Sequence, residues 1–417
     1  MEARASLIAL YEEVVHALGA RRLSREACLR GALPDPLPGG RLFVLGIGKV
    51  SAELYLGACD AFGELPAVLA IPQGTPTPPQ QALCVVGGHP LPTAGSLAAG
   101  EALLHAATQL GPKDVALVLL SGGGSALAES TPLLLPDLLA VNDALLRSGA
   151  PIEEMNLVRA HLSRLKGGGL ARALFGAGVR RGAALVAVDV PKGGMRAVSS
   201  GPASADPGTY QGALDATYAR KLALPEAALS LLRAGARGEY PETLKPGEPA
   251  DFLDHQMLCD MTSPAREAAQ RAQRPCLQLP LVSGPLEEFA RRLTDAAQAQ
   301  PGILLVASGE PELRIPATAP AGGRAQHLAL WMARALRGTR AAFLAAGTDG
   351  RDGNTSAAGA AVDGESWDEA ERRGLHPDQA LASFGATPLL EALGRAIPAR
   401  HSEAHCGELY LLLSALP

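Results

Sequence analysis

The chain has 417 residues, of which 47% are hydrophobic and 19% are charged, and its formal net charge is −5. This balance excludes a disordered chain, and the length predicts two or three globular domains of about 150 residues each. The negative charge and the 4% aromatic content argue against nucleic-acid binding, because a basic field and rings for base stacking are both lacking. The sequence contains no run of about 18 apolar residues, so it predicts no membrane span.

The N-terminus predicts a helix and not a signal peptide. Glu2, Glu12 and Glu13 stand where a basic and then an apolar segment would be needed. Apolar residues over 7–18 recur at helical spacing.

The six cysteines are scattered without a CxxC pair, which is typical of a reduced, cytoplasmic protein. His401, His405 and Cys406 are close in sequence and are interpreted either as a metal site or as a polar surface turn.

Apolar runs alternate with helical patterns along the chain. Most runs are apolar on both faces, as in parallel sheets that helices cover. The predicted strands are 41–48, 67–71, 82–88, 114–121, 183–190, 303–308, 341–347 and 408–416. The predicted helices are 3–19, 49–62, 95–110, 134–149, 151–163, 286–300, 324–337 and 366–374. This alternation predicts an α/β fold. A polar, Pro- and Gly-rich segment at 236–262 predicts two domains, 1–240 and 250–417.

Several predicted strands end in glycine-rich turns, which is where open α/β sheets bind ligands. The first turn, GIGKVS, carries Gly46, Gly48 and Lys49. It is not a phosphate loop of the GxxxxGK[ST] type, because Val50 follows the lysine. Ser51 replaces the third glycine of a dinucleotide fingerprint, which disfavours NAD. The turn is therefore either a tight strand–helix connection or an anion site at a helix N-terminus.

The second turn follows a buried-looking strand and consists of Ser121, Gly122, Gly123, Gly124 and Ser125. Consecutive glycines let the backbone form a nest of N–H groups that cradles phosphate. A flexible linker is the alternative. Because the segment directly follows a predicted strand, we favour the phosphate interpretation.

The third segment places Asn156, Arg159, Ser163 and Lys166 on one helical face before a run of three glycines. We predict that Asn156, Arg159 and Lys166 bind phosphates or a substrate carboxylate. A solvated basic face is the alternative. For His161, on the same helix, a core or capping role is an equal alternative to a functional one.

Carboxylates and one arginine follow further strands. Asp189 ends one strand, and Asp349 and Asp352 follow another; each is predicted to hold Mg²⁺ or to cap a turn, and Asp189 also to accept a hydroxyl proton. Arg324 opens a helix after two glycines, where a guanidinium is suited to clamping a phosphoryl or carboxylate group. Cations, N–H nests and acids together form the inventory of phosphoryl transfer.

The order of these motifs resembles a known family. GIGKV, GGHPLPTAGS, LLSGGGSAL, NLVRAHLSRLKGGGLA, DVP…SSGP, GGRAQ…LAL and AAGTDGRDG follow one another as in the class II glycerate kinases, over nearly the whole chain. The resemblance implies ATP-dependent phosphorylation of D-glycerate at its 2-hydroxyl. It also implies a Rossmann-like, mostly parallel sheet domain, a smaller MOFRL domain and an active site in the interdomain cleft.

The resemblance also implies roles for individual residues. Lys49 matches the essential lysine of the first turn, Arg324 matches the arginine of the GGR motif, and His89 lies in the GGHPLPTAGS motif. The implied ligands are ATP, Mg²⁺ and D-glycerate, with neither nucleic acid nor membrane as a partner. Whether the chain forms a homo-oligomer stays open.

The chain departs from the family pattern near the expected site. The departures comprise Lys192, Gly193, Gly194, Ala325, His327 and Ser356. The first three remove carboxylates that would help to hold Mg²⁺. These changes motivate one alternative to the kinase, a diverged homologue with an altered substrate or weak or no kinase activity. An NAD(P)H-dependent hydroxypyruvate reductase is a separate alternative, which the first turn disfavours.

Overall fold

The computed structural model describes residues 2–76, 81–191, 193–299, 301–316 and 318–414. Lys192, the last residue of the helix predicted over 286–300 and the end of the strand predicted over 408–416 lie outside these ranges. The chain divides into two compact units. One, which we call the inserted unit, is Ala20–Leu258; the other, the terminal unit, combines Met1–Gly19 with Cys259–Pro417.

The elements alternate along the chain as an α/β fold requires. The helices are α1 (Glu2–Ala17), α2 (Ala20–Leu29), α3 (Ser51–Phe62), α4 (Ala94–Thr108), α5 (Gly124–Leu127), α6 (Leu135–Arg147), α7 (Ile152–His161), α8 (Gly169–Gly176), α9 (Gly194–Ala197), α10 (Tyr210–Ala219), α11 (Glu226–Ala236), α12 (Ser263–Arg271), α13 (Leu286–Ala299), α14 (Arg324–Ala335), α15 (Ser366–Arg372), α16 (Pro377–Ala382) and α17 (Ala386–Ala392). The strands are β1 (Leu42–Ile47), β2 (Ala67–Pro72), β3 (Ala82–Gly87), β4 (Val115–Leu120), β5 (Gly182–Ala187), β6 (Asp254–Cys259), β7 (Cys276–Gln278), β8 (Leu304–Gly309), β9 (Ala342–Gly347), β10 (Ala357–Asp363), β11 (Ala396–Pro398) and β12 (Glu408–Leu413).

The inserted unit is built on a six-stranded sheet with the order β3-β2-β1-β4-β5-β6. Strands β1 to β5 pair in parallel. Every residue of β4 and β5 is buried, because helices cover both faces and the strand sequences are apolar throughout. In parallel strands the carboxyl ends meet at one edge, and this brings the turns after β1, β4 and β5 together. The predicted α/β class and parallel sheet are confirmed.

The terminal unit has its own six-stranded sheet, with the order β11-β10-β9-β12-β8-β7. Strand β12 runs antiparallel to both β8 and β9, and β10 runs antiparallel to β9 and β11. Helix α14 packs on β9 and β10. Its residues Leu328, Ala329 and Met332 are fully buried, because apolar positions three and four apart form one stripe on a helix.

The two compact units differ from the predicted domain ranges of 1–240 and 250–417. Strand β6 extends the sheet of the inserted unit, so this unit continues to Leu258. Helix α1 belongs to the terminal unit, where it packs on α12, β9, β10 and β12. Its Tyr11 is buried and donates a hydrogen bond from its hydroxyl to the Gly347 carbonyl at 2.7 Å. No helix in the described part of the chain has the length and apolar character to cross a membrane.

Candidate active site

Two of the predicted glycine turns lie side by side in the inserted unit. The backbone N–H of Lys49 donates to the carbonyl of Gly122 at 2.9 Å, and the N–H of Ser121 donates to the carbonyl of Ile47 at 3.0 Å. Strands β1 and β4 are neighbours, so their carboxyl ends carry the two turns to the same edge. The turn with Gly48 and Lys49 is thereby fastened to the turn of 121–125.

Two residues that the sequence predicts as ligand-binding support these turns from within. Ser121 is buried; its Oγ accepts a hydrogen bond from the Val50 N–H at 3.1 Å, and its carbonyl accepts one from Ser199 Oγ at 3.0 Å. Gly46 lies inside β1, where a Cβ atom would stand 2.5 Å from Leu69 Cδ2. The structure therefore corrects both roles: these residues shape the turns, and their side-chain positions are occupied by packing.

Lys49 and His89 meet at Gly123. This glycine has a φ of 79°, and a Cβ atom on it would lie 3.0 Å from both Lys49 Cε and His89 Cδ2. Loss of solvation, and then the positive charge of Lys49, lower the pKa of His89 below its ordinary value of 6.5. The imidazole is therefore neutral at pH 7. The lysine lies beside the backbone of the second turn. An anion site that combines a cation with backbone N–H groups requires this arrangement.

Asp189 lies against the same turn. A Cβ atom on Gly122 would stand 1.5 Å from Asp189 Oδ2, so only a glycine lets this carboxylate approach the backbone so closely. Asp189 follows β5, the next strand of the sheet beyond β4. The structure thus brings together three predicted site residues, Lys49, His89 and Asp189, around Gly122 and Gly123.

A chain of hydroxyl and amide groups continues from the second turn, whose Gly124 opens α5. Ser125 Oγ lies 2.8 Å from Ser200 Oγ, which donates to Asn156 Oδ1 at 3.0 Å. Ser199 and Ser200 have φ values of 55° and 58°. Non-glycine residues rarely adopt these angles, and such strain persists where surrounding bonds fix it, often at functional sites.

Lys166 does not join this group. Its ammonium forms an ion pair with Glu129, and both side chains are almost fully buried. Glu129 also accepts hydrogen bonds from Ser163 Oγ at 2.5 Å and from the Ser130 N–H at 2.9 Å. Burial lowers the pKa of Lys166, and Glu129 opposes that shift. We therefore correct the predicted phosphate contact: the lysine neutralises an internal carboxylate.

Arg159 is also turned to an internal partner. Its Nε donates to Asn142 Oδ1 at 3.2 Å, and burial lowers the pKa of its guanidinium. Its predicted contact with a ligand stays a prediction. His161, on the same helix, is buried and bonds Glu242 Oε2 at 3.2 Å, which favours the core role.

We predict that replacing Lys166 with Met destabilises the fold by about 3–5 kcal/mol, because an unpaired carboxylate is left in the interior. Urea denaturation measures this loss. The double variant Lys166→Met with Glu129→Gln removes both charges and should recover most of the stability. A raised KM for ATP without loss of stability would instead restore the phosphate-binding role.

In the terminal unit, Arg324 begins α14 and is held by Glu408. Arg324 Nε donates to Glu408 Oε1 at 2.7 Å, and the carboxylate also accepts a hydrogen bond from the Tyr410 hydroxyl. Glu310 lies 3.6 Å from the same guanidinium. Burial raises the pKa of Glu408 to about 7, against the opposing effect of Arg324. The arrangement leaves a partly exposed guanidinium in a fixed orientation.

Sequence reasoning missed Glu408 and Tyr410 as the residues that position Arg324. The signal was a single acid at the start of β12, which is otherwise apolar in ELYLLL. An acid at a buried strand position is costly unless it is paired, so it indicates a buried cation nearby.

Asp352 caps α14. Its Oδ1 accepts the Ala325 N–H at 3.1 Å, and its Oδ2 accepts the Gln326 N–H at 2.8 Å and the Gln326 Nε2 at 3.0 Å. The carboxylate is buried, which raises its pKa against the effect of these bonds. The predicted metal ligand is therefore an N-terminal cap that balances the helix dipole.

The other predicted metal positions form no cage. Asp349 is exposed and accepts the Arg351 N–H at 3.0 Å. Over the part of the chain that the structure describes, no three His, Cys, Asp or Glu side chains come together as metal ligands. For His401, His405 and Cys406, this favours the alternative without a metal. The sulfur of Cys406 is buried and contacts the sulfur of Cys259.

Replacing Asp352 with Ala is expected to lower the stability by about 1–2 kcal/mol, the usual cost of losing an N-cap. Thermal and urea denaturation test this, with Asp352→Asn as the matched variant that keeps one acceptor. A shift in the Mg²⁺ dependence of activity, with no change in stability, would contradict the capping role.

Comparisons with known proteins agree with this architecture. Residues 7–233 match a domain of unknown function, DUF4147, and residues 303–405 match the MOFRL family. A D-glycerate 2-kinase of Thermotoga maritima is 32% identical over 85% of this chain and 86% of its own. A relative from Agrobacterium vitis, named "Putative hydroxypyruvate reductase", is 34% identical over 86% of this chain and 83% of its own. The crystal structure of a glycerate kinase from Thermotoga maritima superposes with a TM-score of 0.88 at 26% identity, covering 99% of both chains.

The fold, the glycine turns around Lys49 and the matched relatives define a phosphotransferase of the two-unit α/β class. Within that class, the chain belongs to the class II glycerate kinase family, whose members combine the DUF4147 and MOFRL domains.

Proposed function

We propose that this chain transfers the γ-phosphoryl group of ATP to the 2-hydroxyl of D-glycerate, giving 2-phosphoglycerate and ADP. The observation that carries the proposal is the meeting of Lys49, His89 and Asp189 at the bare backbone of Gly122 and Gly123. Phosphoryl transfer needs little covalent chemistry from the protein and depends on positioned charge. The name of the Thermotoga maritima relative supports the substrate and the 2-position.

In this proposal, Lys49 stabilises the negative charge that spreads over the transferring phosphoryl group. A fixed cation in a partly desolvated turn needs no reorganisation during the reaction, which is why such groups lower barriers. His89, uncharged at pH 7, adds no second positive charge beside the lysine and leaves a ring nitrogen able to hold a proton.

Asp189 is the proton acceptor for the attacking hydroxyl, or a ligand of Mg²⁺. The carboxylate fits either role by chemistry, since Mg²⁺ prefers oxygen ligands and is usually held by one or two carboxylates together with substrate phosphates. Of the predicted metal residues, Asp189 and the exposed Asp349 fit this pattern, and the capping Asp352 does not. Mg²⁺, when bound with ATP, neutralises charge on the phosphate oxygens.

Arg324 of the terminal unit is the second cation of the proposed mechanism. Glu408 fixes its orientation, so the guanidinium is ready to bind a phosphoryl or carboxylate oxygen. The interdomain position of the active site, the homo-oligomer and the cytoplasmic location stay predictions.

Reduction of hydroxypyruvate is the second candidate, favoured by the name of the Agrobacterium vitis relative. The first turn argues against it. Ser51 Oγ donates to the carbonyls of Gly48 at 2.9 Å and Ala70 at 3.2 Å, in place of the glycine that a dinucleotide fingerprint requires. Strand β2 then ends at Pro72, with no acid there to bind a ribose hydroxyl.

The deciding experiment incubates the full-length protein with Mg·ATP and D-glycerate and determines the position of phosphate in the product by phosphorus NMR. We expect 2-phosphoglycerate. L-glycerate and reactions without ATP are the controls. Oxidation of NADH in the presence of hydroxypyruvate, with no phosphorylated product, would establish the reductase. Binding of ATP without turnover would favour the diverged homologue.

A further inference from the structure

A cavity of about 360 Å³ lies in the inserted unit between α7 and the segment 193–208. Cavities that bury drug-sized ligands begin at about 300 Å³. Much of its wall is apolar or glycine, namely Leu157, Ala160, Ala197, Ala205, Pro207, Gly167, Gly193, Gly201 and Gly208. A wall of this kind suits a flat, uncharged ring better than a small carboxylate, because burying a charge among apolar groups is costly.

Polar groups stand at a few points of the cavity wall. Asn156 and Ser200 are bonded to each other, and Asp206 is engaged by the Gly208 N–H at 3.0 Å and by Thr243 Oγ1 at 2.9 Å. Arg196 has an exposed side chain and is the only Lys or Arg among the described lining residues, which also include the exposed carboxylate of Glu153. The cavity therefore combines apolar walls with one available cation and one acid at its edge.

The cavity adjoins the glycine turn of the proposed active site. Ser200 belongs to the cavity wall and lies 2.8 Å by its Oγ from Ser125, the last residue of the turn 121–125. The same turn holds Gly123 beside Lys49. A ligand that fills the cavity and carries a charged chain is thus able to extend that chain toward Lys49.

We infer that this cavity binds the adenine and ribose of ATP, with Arg196 beside the phosphates and the turn 121–125 receiving their distal end. This inference rests on the proposed function and assigns the nucleotide to the inserted unit. The apolar wall that includes Leu157 and Pro207 complements the flat, largely uncharged surface of a nucleoside. It does not complement D-glycerate, which is small and anionic.

Calorimetric titration of the full-length protein with ADP tests the inference without requiring turnover. Ala197→Phe fills the cavity and is expected to weaken ADP binding at least about 10-fold, equivalent to about 1.4 kcal/mol. Arg196→Gln removes a charge-assisted contact and is expected to weaken it about 3- to 10-fold. The matched controls are Ala150→Phe and Arg147→Gln, which lie outside the cavity lining and should bind ADP as the parent does.

The KM for D-glycerate should stay within about two-fold in both cavity variants. An unchanged Kd for ADP with a raised KM for D-glycerate would overturn the inference and assign the cavity to the hydroxy acid. Unchanged values for both substrates would also overturn it. Because Arg196 is exposed, its variant keeps the test valid if Ala197→Phe fails to fold. A protein that binds ADP in this cavity but does not phosphorylate D-glycerate would refute the proposed function alone.

Discussion

Replacing Lys49 with Met is expected to lower kcat about 10²- to 10³-fold, with a much smaller change in stability. The expectation follows from its position, because its side chain lies beside the bare backbone of Gly123 and is the cation nearest to the second turn in the described contacts. Removing one preorganised group that stabilises transition-state charge usually costs a factor of this size. Steady-state kinetics of D-glycerate phosphorylation measure the change.

The matched control is Lys113→Met, since Lys113 is exposed in a loop before β4. It should leave kcat unchanged. Lys49→Arg keeps the charge in a larger, planar group and should recover only part of the rate. Full turnover by Lys49→Met, with the fold intact by circular dichroism, would remove the lysine from the mechanism.

Replacing Arg324 with Met is expected to affect both activity and stability. The guanidinium is the partner of the buried Glu408, and breaking a buried pair usually destabilises a protein by about 3–5 kcal/mol. Loss of the second cation should also lower kcat about 10²-fold or more. The double variant Arg324→Met with Glu408→Gln leaves no unpaired charge, so its stability should recover while its activity stays low. Recovery of both would mean that Arg324 is structural only.

The pH dependence of stability provides an independent measurement of this pair. The pKa of Glu408 is about 7 in the fold and near its ordinary 4.5 when unfolded. The folded state therefore binds the proton more tightly, so the contribution of Glu408 is fully present below about pH 4.5 and is lost as pH rises through 7. We expect Arg324→Met to extend this loss to higher pH, because Arg324 lowers the pKa of Glu408, and Glu408→Gln to abolish it. Denaturation midpoints between pH 5 and 8 test both expectations.

The sequence predicts strands well where burial on both faces gives an unbroken apolar run, as in β1, β4 and β8. It misses β10, with the sequence AAGAAVD, because alanine and glycine have little preference for strands and only pairing with β9 and β11 fixes them. It misses β6, with the sequence DHQMLC, since an edge strand is half solvated and carries polar residues. Tertiary pairing, and not local preference, determines these two strands.

The candidate site, like the fold, is predicted from the sequence only in part. The grouping of Lys49, the second glycine turn and Asp189 follows from parallel strands ending at one edge, which is a property of the α/β class. The roles of Lys166 and Asp352 were mistaken, because the partners that engage them, Glu129 and the N-terminus of α14, are distant in sequence. A charged residue beside glycines has the same local pattern whether it faces a ligand or an internal partner.

The membership of α1 in the terminal unit has a consequence for synthesis of the chain. This helix is made before the inserted unit, and its partners α12, β9, β10 and β12 all follow that unit, β12 only from Glu408. At about 5–20 residues per second, the delay is on the order of 20–80 s. Leu7, Tyr11 and Val14, all buried in the finished protein, have none of these partners until α12 is made, and they lack part of their packing until β12 follows. A nascent chain stalled before β12 should therefore leave part of an apolar helix exposed for chaperones to recognise, even though the inserted unit, which ends at Leu258, is complete.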